Sequence, residues 1–295
     1  MRTASLTPPA ALVGVLLLGA CGTEAADETT GADGSRPTAA CATAEPGATT
    51  GMELDGVRIN ALGGAGYSGC AAYQVTNDEA EAFTYTVTFD FLSETGGVRD
   101  NRAETVASVP PGGTVTRTLK ASQPLVTAQG QALVRVSKVR GVPADEAPVP
   151  SGPCPESGIR LTADRGDAAM GLRVVGLHLE NCGTRPYHLD GYPEVDVVDE
   201  AHEVVTDVQV LEGGQTIAMS TGADAPPRPL DLAPGERARS TLVWRNTTEF
   251  GTPVHAPYAR VLAKPGAAPV MVTPELDLGT TGKLGVGAWQ REETG

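Results

Sequence analysis

Three observations predict an all-β chain: apolar and polar residues alternate at period two, turn signals recur about every 8 to 12 residues, and no window of 11 or more residues after residue 40 carries helical apolar spacing. Their order along the chain predicts two immunoglobulin-like β-sandwich domains in series, after a signal peptide and a disordered tether. In the first domain, Tyr73 to Asn77 leads into residues 83–92 (FTYTVTFDFL), where Phe83, Tyr85, Val87, Phe89 and Phe91 share one face and mostly Thr and Asp the other. Turns follow at residues 94–97 (ETGG) and 109–113 (VPPGG), residues 114–119 alternate again, and Leu133 to Val136 closes the copy. The second domain repeats the plan. Residues 172–179 (LRVVGLHL) end at Asn181 and Cys182, residues 194–198 and 203–210 flank a turn at 199–202, and residues 232–236 (LAPGE) precede a strand at 237–244. There Ala238, Ser240, Leu242 and Trp244 share a face, with Arg239, Thr241 and Arg245 opposite, so Trp244 belongs to the core. Residues 211–229 (LEGGQTIAMSTGADAPPRP) are too polar and Pro-rich for a strand pair and predict a long surface loop, a natural place for function beside the Gly191-Tyr192-Pro193 turn.

The chain begins with Arg2 in a short polar stretch, then the apolar block 10–18 (AALVGVLLL), then Leu18-Gly19-Ala20-Cys21. This is the layout of a secretory signal, with an apolar block too short for the roughly 20 residues that span a bilayer. The last four residues resemble the lipobox of bacterial lipoproteins, which implies cleavage before Cys21 and acylation of its thiol. Residues 22–40 (GTEAADETTGADGSRPTAA) hold nothing to bury and read as a tether. The expected divisions are therefore 1–20 signal peptide, 21–40 lipid-anchored tether, 41–141 first β domain, 142–153 Pro-rich linker and 154–291 second β domain, the two domains folding independently.

Removing the signal takes the net charge from −14 to −15, which argues against nucleic acid as a partner. With Cys21 assigned to lipid, four of the five cysteines remain for an oxidising compartment: Cys41, Cys70, Cys154 and Cys182. Four cysteines allow three pairings. Their separations of 29 and 28 positions, repeated about 113 residues apart, favour Cys41 with Cys70 and Cys154 with Cys182. Each such loop constrains the unfolded chain by about 3.5 kcal/mol in the loop-entropy account. A four-cysteine zinc site would need a C-x-x-C spacing that the chain lacks.

Cys154, the run NCGTRPY at 181–187, LDGYP at 189–193, LAPGE at 232–236, WRNT at 244–247 and LDLG at 276–279 together resemble the actinobacterial family catalogued as domain of unknown function 4232. The resemblance runs from about Cys154 to Trp289. It implies an immunoglobulin-like sandwich and an extracytoplasmic place, and no activity. One departure concerns cysteine: much of the family has its second cysteine just before G-Y-P, where this chain has His188, while a subgroup shares the earlier position of Cys182.

A search for chemistry assigns no catalytic, cofactor or metal residues. There is no G-x-S-x-G, four paired cysteines leave no nucleophilic thiol, and Lys283 after G-T-T-G misses the phosphate-loop spacing. His178, His188, His202 and His255 lie in the second copy with Met170, Met219 and Met271, residue types that suit copper, but their spacings match no ligand motif. The acids Asp190, Glu194, Asp196, Asp199, Glu200 and Glu203 lack the order of a calcium loop and read as strand faces and a hairpin turn. The expectation is a non-catalytic lipoprotein on the extracytoplasmic face of the cell membrane, held by membrane lipid through acylated Cys21 and engaging an envelope protein or glycan. The alternatives are a cell-wall-active enzyme or a transporter's solute-binding lipoprotein. The last requires helices that the pattern lacks.

Overall fold

The computed structural model describes residues 53–63, 70–93, 95–121 and 133–292, which lie within one compact unit, Pro37–Gly295. Every regular element among them is a strand, as the period-two pattern predicts. The N-terminal half holds β1 (Glu53–Leu54), β2 (Val57–Gly63), β3 (Cys70–Thr76), β4 (Phe83–Leu92), β5 (Val98–Val109), β6 (Thr114–Lys120) and β7 (Leu133–Pro143). They form two antiparallel sheets, β1-β2-β3-β6 and β5-β4-β7, which share one core. Phe83, Tyr85, Val87, Phe89 and Phe91 enter that core from β4 and meet Tyr73, Val75 and Leu119 from the other sheet. The rings of Tyr73 and Phe89 lie 4.7 Å apart. The opposite face of β4 is partly buried, with Thr84 and Asp90 buried and Thr86, Thr88 and Leu92 intermediate. Asp90 is only 6% exposed there. Its carboxylate accepts hydrogen bonds from Arg135 (2.8 and 3.0 Å), Asn101 (2.8 Å) and Ser137 (3.2 Å). Burial works to raise its pKa, but these partners outweigh it and hold the carboxyl below its usual value.

The C-terminal half holds β8 (Ile159–Ala163), β9 (Asp167–Ala169), β10 (Leu172–Asn181), β11 (Tyr187–Leu189), β12 (Glu194–Val198), β13 (Gln209–Glu212), β14 (Leu230–Leu232), β15 (Arg237–Arg245), β16 (Val254–Ala256), β17 (Tyr258–Leu262), β18 (Pro269–Val272), β19 (Leu276–Gly279), β20 (Lys283–Val286) and β21 (Gln290–Glu292). The large sheet runs β13-β20-β15-β10-β8, with β21 on β15 and β9 on β10. Across the core from it lie the smaller groups β11-β14, β12-β17-β18 and β16-β19. Pairing is antiparallel except for β13 with β20. Trp244 and Trp289 are buried, as expected for Trp244.

One expectation changes in this half, and the loop expected at 211–229, which forms no strand beyond Glu212, packs more closely than its composition suggests. Residues 203–208 do not form a strand beside β12. Val204 makes one bridge to Val198, and the chain then crosses to the large sheet as β13. The segment 211–229 begins inside β13 and then folds onto the outer face of β15. Ala223 is fully buried, and Gly214 N–H donates to its carbonyl at 2.9 Å. A Cβ on Gly285 would meet Gly213 O and Val243 Cγ1 at 2.8 Å, so the loop lies against bare backbone. Thr241, placed with Arg239 and Arg245 opposite the Trp244 face, is consequently buried, as is Val243.

The two halves repeat one plan, and a buried asparagine in each shows it. Asn77 N–H donates to Gly113 O (2.9 Å), its carbonyl accepts Gly112 N–H (2.8 Å), and its Nδ2 donates to Val109 O (2.8 Å) and Glu81 O (2.7 Å). Asn181 does the same with Glu236 O (3.0 Å), Gly235 N–H (2.7 Å), Leu232 O (2.8 Å) and Arg185 O (2.9 Å). Each amide thus pins its Pro-Gly turn to the strand before it and satisfies buried backbone groups. By this match β2-β3-β6 corresponds to β8-β10-β15.

The cysteines do not follow the same correspondence. Cys154 and Cys182 are disulfide-bonded with a Cα separation of 5.6 Å, as expected. Cys70 is also in a disulfide, while Cys41 and Cys21 lie outside the described residues. Cys70 begins β3, whereas Cys182 follows the last residue of β10, so the two cysteines sit at opposite ends of equivalent strands. The similar spacing of the two cysteine pairs is therefore not a product of the repeat.

Candidate functional site

The first part of the expected Pro-rich linker, Val142 to Ala147, is packed, while Val149 to Pro153 are exposed. Strand β7 continues to Pro143, and Val142 joins Val198, Tyr258 and Met271 in a small apolar cluster, with Ala147 against it. Glu146 pairs with Arg260 at 2.8 Å, and its carbonyl accepts Met271 N–H at 2.8 Å. The two halves meet here.

At the centre of this junction is His202, at φ 61° in the turn after β12. Asp199 shapes that turn by accepting the N–H groups of Ala201 and Glu203 on Oδ1, both at 2.9 Å. The His202 ring stacks on Tyr258 (4.8 Å) and meets Phe83 edge-on (5.1 Å). Its Nε2 lies 2.9 Å from Gly141 O. A carbonyl only accepts, so Nε2 carries the proton and donates. Glycine at position 141 leaves room for this approach, since a Cβ there would lie 3.0 Å from Tyr85 Cε1 and 3.1 Å from Phe83 Cδ1, close enough to press on both rings.

Beside the ring, Arg140 of β7 makes a bidentate pair with Glu275, both bonds 2.8 Å, and Lys138 adds a third contact at 3.3 Å. Burial works to raise the Glu275 carboxyl, but Arg140 and Lys138 outweigh it and hold it below the usual range. Burial pushes the Tyr85 hydroxyl up to about 12, with Glu79 and Asp78 adding to the effect, so it stays a donor, to Asn77 Oδ1 at 2.8 Å. The adjoining cleft holds about 370 Å³ and is lined by Asp55, Asp78, Glu79, Glu200, Tyr85 and Tyr258 among others. In volume it suits a small ligand.

A second cleft of about 570 Å³ opens beside β9 and β19, lined by Asp164, Arg165, Asp167, Arg173, Thr273 and Asp277 among others. Asp277 organises its floor. Its carboxylate accepts Trp244 Nε1–H (2.7 Å), Asn246 Nδ2–H (3.0 Å) and Arg173 Nη2–H (3.1 Å), joining the W-R-N-T and L-D-L-G words across the fold. Asp164 is likewise engaged, accepting Gly166 and Gly176 N–H at 2.8 and 3.0 Å. These carboxylates hold loops in place.

The histidines and methionines considered for metal are dispersed. His178 lies between Asp164 and Glu292, His188 faces Asp231, His255 faces Glu200, and His202 is in the junction. Met271 is buried, while Met170 and Met219 are exposed. Among the described residues no group of three or more His, Cys, Asp or Glu is placed to hold a metal ion. Of the acid run, Asp199 caps the turn as anticipated and Glu200 pairs with His255. The Gly191 carbonyl of the G-Y-P word accepts Trp289 N–H at 3.0 Å and so ties the end of the domain to its middle.

The roles of Asn77, Asn181, Gly141, Arg140 and Glu275 were not visible in the sequence, because the partners that define them lie 32 to 135 positions away. The pairing of an asparagine with a later P-G turn in both copies is the one signal that was available. A comparison with curated proteins finds no match to the chain. Residues 154–290 match the family model described as Domain of unknown function (DUF4232), the family that the words at Cys154, Asn181 and Trp244 resemble.

Proposed function

We propose that this protein is a non-catalytic lipoprotein of the extracytoplasmic membrane face, in which two immunoglobulin-like sandwiches form a body carried by acylated Cys21 and presented to an envelope protein or glycan. The observation that carries the reading is Leu18-Gly19-Ala20-Cys21 placed directly after a nine-residue apolar block and ahead of a polar tether. The Cys154–Cys182 bond supports it, since a disulfide at an exposed cysteine persists in an oxidising compartment. The engaged state of Asp164, Glu275 and Asp277, which all line the second cleft, supports a scaffold role for these three carboxylates. Labelling of cells expressing the full chain with a fatty-acid analogue tests the anchor. The wild-type protein should take up the label and Cys21→Ser should not. An unlabelled wild-type protein would remove the proposal.

A further inference from the structure

Three large apolar side chains stand in solvent on separate turns at one end of the C-terminal half: Met170 and Phe250 are fully exposed, and Met219 is 75% exposed. Hydrogen bonds bring their turns together around the end of β15. Asn246 N–H donates to Gly171 O (2.9 Å), Arg245 Nε to Ile217 O (3.3 Å), Thr280 N–H to Thr247 O (3.0 Å), and Glu249 N–H to Thr280 Oγ1 (2.9 Å). Met170 is also disfavoured by its backbone. With Gly171 it forms the two-residue turn between β9 and β10, and both residues have positive φ, 47° and 79°. Asn or Gly is the favoured residue at such a first turn position, and a solvent-facing methionine gains nothing there from folding. Exposure and backbone both argue against this residue on stability alone, which points to a contact outside the chain.

We propose that these three turns are a membrane-contact surface, with Met170, Met219 and Phe250 entering the boundary between lipid headgroups and acyl chains. This rests on the anchored reading above. The side chains stand singly, with polar Thr247, Thr248 and Glu249 between them in the chain, a form that a fluid lipid boundary accommodates and a rigid protein partner would have to match with three pockets. Cys21 precedes Cys41, the partner expected for Cys70, by 20 positions, and a tether of that length reaches about 25 Å root-mean-square. An anchor at Cys21 thus holds the body within reach of the bilayer, where intramolecular concentration makes a weak contact sufficient. The mature charge of −15 gives no attraction to anionic headgroups, so the contact is apolar and forms on neutral lipid.

The test uses the whole mature chain from residue 21 with Cys21→Ser, so that no acyl group contributes, mixed with phosphatidylcholine vesicles at millimolar lipid. Co-sedimentation should be measurable with the native turns and at least tenfold weaker in Met170→Asn/Met219→Ser/Phe250→Ser, whose melting temperature is not lowered. Partition that is absent with the native turns, or equal in the two chains, overturns the proposal. Because both chains lack the acyl group, failure here leaves the anchor at Cys21 standing, and absence of acylation in cells leaves this result standing.

Discussion

Arg140→Ala removes the strongest polar link between the two halves, and its cost follows from the geometry. Arg140 and Glu275 are 18% and 28% exposed, and their bidentate contact has two 2.8 Å bonds. A charge-assisted pair of this kind is worth more than an exposed surface pair but less than a fully buried one, and Lys138 stays behind to face the carboxylate. We expect a loss of about 2 kcal/mol, which for a chain of this size lowers Tm by about 4–8 °C. Urea denaturation followed by two probes gives the assay. Both tryptophans, Trp244 and Trp289, are buried in the C-terminal half, so their fluorescence reports that half while far-ultraviolet circular dichroism reports both. The wild-type curves should coincide, and the Arg140→Ala curves should separate as the junction weakens. A double-mutant cycle with Glu275→Ala should show a coupling of about 1–2 kcal/mol. Coupling below about 0.3 kcal/mol, or wild-type curves that already separate, would refute the claim that the junction joins the halves energetically. The pair also fixes the direction of its pH dependence. Glu275 has a lowered folded pKa, so its contribution is complete above the unfolded carboxylate value of 4.5 and is lost as pH falls through the folded value.

Asn181→Ala leaves the Leu232 and Arg185 carbonyls without their side-chain donor in a buried turn, and should cost about 2–4 kcal/mol by chemical denaturation. Met170→Asn should raise stability by about 1 kcal/mol, because asparagine accepts the positive φ of that turn and loses no burial; a lower Tm would contradict the assigned turn. Asp90 has a lowered folded pKa, so its stabilisation is complete above the unfolded value of 3.8 and disappears as pH falls through the folded one. Asp90→Asn should therefore flatten the fall in Tm below about pH 4.

The strands were legible because one face of each must be dry. Phe83 to Phe91 announces β4 by alternation alone, and the buried Trp244 follows from the same rule applied to β15. What alternation does not encode is which elements cover the other face. Thr241 was placed with Arg239 and Arg245 opposite the core face, and its burial with Val243 depends on Ala223 and Gly214, on a loop whose composition reads as surface. Residues 203–208 carry strand-forming valines, yet the chain spends them on a crossover to β20, a choice set by the parallel partner about 74 positions later. The linker looked like a spacer because Pro and acid dominate it. Val142, Glu146 and Ala147, three residues of ordinary type, dock it. Nothing local marks them, since His202, Arg260 and Met271 come from the other half of the chain. The Cys154–Cys182 pairing was read correctly from spacing, but the equivalence it suggested with Cys70 does not survive the match between Asn77 and Asn181.

The central claim, a mature chain that begins at an acylated Cys21, is tested most directly by intact-mass analysis of the protein extracted from membranes. The mature protein should be a polypeptide starting at Cys21 with added mass equal to a diacylglyceryl group, alone or with a further N-terminal acyl chain, and Cys21→Ser should yield no such species. A chain whose first residue lies elsewhere, or a Cys21 that carries no acyl mass, would contradict it.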